Sequence, residues 1–146
     1  MKLFLLAAAL LVGSNAAVVS AEKNLKFKLV TIYIDQKGGE SHMMGVAVFP
    51  DGSIGTKDFY DKAGANGAST GHSIYYFPNG SLGVNYAGTG TGTATGGHYK
   101  GTYDILSGTG EYQGATGTGA FEGAYGDASP LKNASLYDVE LNVKTP

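Results

Sequence analysis

The sequence predicts an all-β fold, a small antiparallel barrel of eight strands, or nine, closed or nearly closed. Three observations lead there. Apolar and polar residues alternate over short runs, which is the period of a strand with one buried face. Turn signals built from Gly, Pro, Asn and Asp separate those runs at short, even intervals. Residues 22–146 contain no stretch with a convincing helical period.

The first run, Asn24 to Ile34, places Leu25, Phe27 and Leu29 on one face and Lys26 and Lys28 on the other. From Val30 onward Val30, Ile32 and Ile34 make the second face apolar as well, so part of this strand is expected to be covered by protein on both sides. A Gly38-Gly39 turn leads into Ser41–Phe49. "PDGS" at 50–53 and "PNGS" at 78–81 are hairpin turns, in which proline presets φ and Asp-Gly or Asn-Gly tolerates positive φ. Strands are expected at Ser53–Tyr60 and His72–Phe77, with Asp61–Gly71, rich in Gly, Ala and Asn, as a mobile loop between them. Leu82–Thr95, Tyr99–Leu106, Gly110–Thr116, Gly119–Tyr125 and Ser135–Lys144 complete the set. In the last, Tyr137, Val139, Leu141 and Val143 share one face.

Ahead of these strands, Lys2, the apolar run Leu3–Val12 and the small-residue site Val19-Ser20-Ala21 follow a secretory leader pattern. Residues 1–21 are accordingly expected to be a signal peptide cleaved after Ala21, leaving residues 22–146 as one domain, secreted or periplasmic, with no membrane span in its mature form. The apolar run is well short of the ~20 residues that a spanning helix needs. The chain has no cysteine, hence no disulfide framework, thiol nucleophile or Cys-based metal site. With Lys2 removed, nine lysines face twelve acidic residues, a balance that argues against nucleic acid as a partner. All ten cationic residues are lysine, so no bidentate guanidinium clamp on a carboxylate or phosphate is available.

The glycine-rich stretch "GTYDILSGTGEYQGATGTGAFEG", residues 101–123, is the most distinctive in the chain. Its glycines follow G-x-G-x-x-x-G, which misses the dinucleotide fingerprint by one residue, and neither a G-K-[ST] nor a following helix is present. A flexible linker would lack the regularly placed rings. Tyr99, Gly101, Tyr103 and Ile105 alternate with Lys100, Thr102, Asp104 and Leu106, and Tyr112 lies between Gly110 and Gly114. Glycine beside an aromatic on one face makes room for the ring and lets a small sheet curve. The stretch therefore reads as folded sheet.

That stretch, together with "YYFPNGS" before it, resembles the barrel superfamily of allene oxide cyclases and dirigent proteins, in which a GTG-x-[YF] turn joins two glycine-rich strands. The likeness covers about residues 72–123. It implies a barrel whose lumen takes a hydrophobic molecule and steers cyclisation or radical coupling largely by shape. Dirigent sites are described as using arginine and aspartate, and this chain has no arginine. No motif here matches the allene oxide cyclase catalytic glutamate, so no catalytic residue is carried over.

Candidate ligand-binding residues are Tyr76, Tyr86, Tyr99, Tyr103 and Tyr112, whose phenols would present hydrogen bonds in an otherwise apolar lumen, and His42, placed with Glu40 at a barrel mouth. The alternative is that the tyrosines simply fill the barrel, and that His42 is surface polarity. His42, His72 and His98 lack a metal-site spacing, and no G-x-S-x-G nucleophile elbow occurs. Asn79-Gly80-Ser81 and Asn133-Ala134-Ser135 are formal glycosylation acceptors, the first better explained as a turn. The expected function is binding of a small apolar or aromatic molecule without a cofactor or metal, in a monomer or an oligomer. The alternatives are an allene oxide cyclase-like isomerase or cyclase acting by confinement, and a packed barrel acting through its outer surface.

Overall fold

The computed structural model describes residues 20–93, 95–128 and 131–146, and most of the expected leader lies outside them. Eight antiparallel strands follow one another round a closed barrel: β1 (Ala21–Lys37), β2 (Glu40–Val48), β3 (Ile54–Ala63), β4 (Ala68–Phe77), β5 (Gly80–Thr93), β6 (Gly96–Gly110), β7 (Thr116–Ala128) and β8 (Leu131–Thr145). β1 pairs with β8 from Ala21↔Thr145 to Thr31↔Ser135, which closes the ring and removes the free edges. A 3-10 turn, Ala65–Gly67, connects β3 to β4. No helix among the described residues is long and apolar enough to cross a membrane.

Alternation decides the two faces. Phe27, Leu29 and Thr31 of β1, Lys57 and Phe59 of β3, Ser73, Tyr75 and Phe77 of β4, and Leu82, Val84 and Tyr86 of β5 are buried inward. Tyr103 and Ile105 of β6, Phe121 of β7, and Val139, Leu141 and Val143 of β8 complete the inner layer. The glycines stand where rings cross them. A Cβ on Gly101 would meet the Phe121 Cζ at 2.5 Å, and one on Gly88 would meet the Tyr99 Cζ at 2.6 Å. The small residue on one strand makes room for the ring on its neighbour.

Four expectations are corrected. Gly110–Thr116 is not a ninth strand: β6 ends at Gly110, a tight turn occupies 111–115 and β7 starts at Thr116. Gly110 has φ 61°, a conformation that favours glycine, and it sends the chain into the turn with a Tyr112 N–H to Thr109 C=O bond of 3.1 Å. Asp61–Gly71 is not a long loop, because β3 runs to Ala63 and β4 starts at Ala68. Its small residues pair in register, from Asp61↔Gly71 to Ala63↔Ser69, where backbone hydrogen bonding outweighs weak strand propensity. The fifth strand ends at Thr93 and not Thr95. Finally, the second apolar face of β1 is uncovered: Val30 and Ile34 stay exposed beside Val46, Met44 and Leu136 on neighbouring strands.

Candidate functional site

The lumen has two unlike halves. At the end formed by the turns at 49–53, 78–79 and 111–115, it is filled by aromatic rings. Phe27 packs against Phe49, Tyr75 and Phe77 with ring centroids 5.0, 5.5 and 5.9 Å apart, and Tyr112 meets Phe77 at 5.7 Å. Such tilted and edge-on pairs are each worth roughly 0.5–1.5 kcal/mol beyond area burial. At the other end, beneath the β1–β2 hairpin and the 64–67 connection, the lumen opens into a cavity of about 440 Å³. That size suits one small ligand. Leu29, Met43, Phe59, Tyr86, Tyr99, Phe121 and Tyr137 supply its apolar walls, and Lys57, Asp61, Ser69 and Ser135 its polar points.

Lys57 is the deepest β3 residue to reach this cavity, and it is only 3% exposed. Its Nζ donates to the Tyr103 hydroxyl at 3.0 Å, and the Tyr75 hydroxyl donates to the same oxygen at 3.0 Å. Four rings surround the nitrogen, those of Phe59 at 4.3 Å, Tyr103 at 4.9 Å, and Tyr75 and Tyr86 at 5.0 Å from their centroids. Burial disfavours the ammonium and pulls its pKa down to about 7, with the negative charge of Asp61 opposing that shift. The same burial holds the Tyr75, Tyr86 and Tyr103 phenols well above their ordinary range, so all three remain protonated donors at neutral pH.

Nearer the mouth, Asp61 is the organising acceptor. It takes a hydrogen bond from Tyr86 at 2.8 Å and one from Ser69 at 2.7 Å, and Ser69 bonds Tyr99 in turn. Burial pushes the Tyr99 phenol up to about 12. The Thr31 and Ser135 hydroxyls bond each other across the β1–β8 seam. Deeper in the barrel, the buried Ser73 hydroxyl finds no hydrogen-bond partner among the described residues.

Of the residues named from sequence, Tyr86, Tyr99 and Tyr103 are brought together at the cavity. Tyr112 is buried, but in the turn that closes the far end, away from it. Tyr76 is 48% exposed on the outside of β4, and its neighbour Tyr75 takes the inward position. His42 also faces outward. Its Nδ1 lies 3.2 Å from Asp35 and its Nε2 2.7 Å from Asp58, while its ring stacks on Tyr60, which stacks on His72. This arrangement clamps β1 through β4 from outside. Lys57 and Asp61 were missed, although "GTKDFYD" places Gly55, Lys57, Phe59 and Asp61 in one phase of the alternation.

A larger hollow of about 1170 Å³ adjoins the charged side chains Lys26, Lys28, Lys100, Glu122, Asp138 and Glu140 and the apolar ones of Val48, Pro50, Ala87 and Ala120. Its charges are largely paired and in water, as Lys26 with Glu140 at 3.3 Å and Lys28 with Asp138 at 2.5 Å. Exposed pairs of this kind give little directed binding energy. The lumen cavity, with its convergent Lys57, Asp61 and ring walls, is therefore the candidate site. Among the described residues, no group of three or more His, Cys, Asp or Glu side chains is placed to hold a metal ion.

Fold and cavity together define a closed, eight-stranded antiparallel barrel with a lumen filled at one end and hollow at the other. No family model matches the chain, and neither does any curated protein or solved structure.

Proposed function

We propose that this chain is an exported barrel protein that binds a small apolar or aromatic molecule in the hollow half of its lumen. The observation that carries this reading is the cavity of about 440 Å³, walled by aromatic rings and furnished with a few convergent polar groups. A hollow of this kind also counts against a solid barrel that works only through its outer surface. The export half of the proposal rests on the leader pattern of Lys2, Leu3–Val12 and Val19-Ser20-Ala21. The likeness of residues 72–123 to allene oxide cyclases and dirigent proteins points toward a hydrophobic guest.

Residues 22–146 should be screened by thermal denaturation against terpenoids, phenolics and aromatic acids. A compound at a hundred times its dissociation constant stabilises the fold by about 2.7 kcal/mol, which for a domain of this size raises the melting point by roughly 3–6 °C. Absence of any shift across a broad screen would remove the binding reading.

A second reading, a cofactor-free cyclase or isomerase acting by confinement, is favoured by one observation. An amine whose pKa lies at about 7 borders the cavity beside a phenol, as a general base requires. On that reading Lys57→Met would abolish turnover while leaving ligand binding in place.

A further inference from the structure

Resting on the lumen-binding reading, we propose that the ligand is an aromatic carboxylic acid, seated with its ring among Phe59, Tyr86 and Phe121 and its carboxylate on Lys57 and Tyr103.

The argument is an inventory of donors and acceptors. A lysine ammonium carries three donors and no acceptor, and a phenol carries one donor with acceptor capacity beside it. The Tyr103 oxygen already receives hydrogen bonds from Lys57 and from Tyr75, each at 3.0 Å. Among the described residues, two N–H groups of a charged Lys57 and the hydroxyl proton of Tyr103 are then left over. Aromatic faces surround the nitrogen at 4.3–5.0 Å, and the carboxylate that acts on it electrostatically, Asp61, is already engaged by Tyr86 and Ser69. The deep end of the cavity is thus rich in donors and short of acceptors. Burial already weakens the hold of this lysine on its proton, in keeping with its lowered pKa. A guest oxyanion relieves the shortage by supplying both the missing acceptors and the counter-charge, and charge-assisted hydrogen bonds are the strong ones.

Two features narrow the class of acid. The walls next to Lys57 are rings in contact with one another, Tyr103 with Phe121 at 4.9 Å and Tyr86 with Phe121 at 6.1 Å between centroids, so a guest meets a continuous aromatic wall on which an aromatic ring can pack face or edge. Toward the mouth, Asp61 presents a carboxylate already engaged by Tyr86 and Ser69. It repels a second anion there and directs the acidic end of a guest to the bottom. The other titratable groups that line the cavity are Tyr33, Tyr99, Tyr125 and Tyr137. None of them adds a positive charge, so the deep lysine is the sole cation available to the head group among the described lining residues.

The test is titration calorimetry on residues 22–146 at neutral pH with two shape-matched pairs, 2-naphthoate against 2-naphthamide and cinnamate against cinnamamide. Each acid should bind about tenfold or more tightly than its amide, the margin of one charge-assisted hydrogen bond. Lys57→Met should erase that margin, so that each acid binds no more tightly than its amide, since it keeps the side-chain length and removes the charge and donors. Lys57→Gln serves the same purpose if the methionine variant is poorly folded. Amides that bind as well as the acids, or a preference that survives in both variants, would overturn the assignment of the head group and leave lumen binding standing. Failure of all four probes to bind would overturn both.

Discussion

The Nζ of Lys57 lies 3.0 Å from the Tyr103 hydroxyl, inside a barrel wall that leaves the lysine 3% exposed. Charged, this lysine costs the fold several kcal/mol in lost hydration, and neutral it costs little. Its pKa falls from 10.5 in the unfolded chain to about 7 in the folded one. Between those values the unfolded state holds more protons, so stability rises with pH through that window and the penalty is complete below it. The tyrosines act in the opposite sense only above about pH 10, where unfolded phenols ionise and the buried ones do not. Urea denaturation at about pH 6 and about pH 9 should therefore give a higher midpoint at the alkaline value. Lys57→Met should flatten that dependence and be the more stable protein at the acidic value. Parallel pH profiles for the two proteins would show that the lysine is not desolvated.

Adjacent tyrosines on β4 provide a test of facing. Tyr75 is fully buried between Phe27, Phe77 and Tyr103, and Tyr76 stands 48% exposed on the outside. Tyr75→Ala should cost roughly 3–5 kcal/mol, in the range for losing a buried ring, and Tyr76→Ala no more than about 1 kcal/mol. Equal losses in chemical denaturation would contradict the inward and outward assignment.

The ring-over-glycine packing predicts a similar contrast on β6. An alanine at 101 would put its Cβ 2.5 Å from the Phe121 Cζ and 2.7 Å from the Gly88 Cα, which demands movement of a strand as well as of a ring. Gly101→Ala should destabilise by about 1–3 kcal/mol, whereas Thr102→Ala, on the exposed face, should be close to neutral. A neutral Gly101→Ala would mean that Phe121 does not lie across β6.

Much of the barrel was legible because alternation is a direct physical record of a two-faced sheet. Phe27 and Leu29, Tyr103 and Ile105, and Val139, Leu141 and Val143 all face inward as their phase requires. The site was harder to read. Tyr75 and Tyr76 are chemically identical neighbours, and only the register of β4 against β3, with Lys57↔Tyr75 and Thr56↔Tyr76, decides which one enters the lumen. Tyr112 is buried, but in a turn at the packed end rather than on a strand at the cavity, because the positive φ of Gly110 redirects the chain two residues earlier. Lys57 was overlooked since a lysine on a strand ordinarily marks the wet face. Its inward placement follows from the phase of Phe59, two residues on, and it is tolerated because four rings and a phenol oxygen receive it.

The central claim, that the hollow half of the lumen is a binding site for an aromatic guest, is tested most directly by NMR of residues 22–146 carrying ¹³C-labelled Phe and Tyr rings. Addition of saturating 2-naphthamide, a neutral probe, should move the ring resonances of Phe59, Tyr86, Tyr99, Tyr103 and Phe121, which face the cavity. Those of Phe77 and Tyr112 at the packed end, and of Tyr76 on the outside, should stay in place. Perturbation centred on Tyr76 and the outer face of the barrel, with the cavity rings unmoved, would contradict the account.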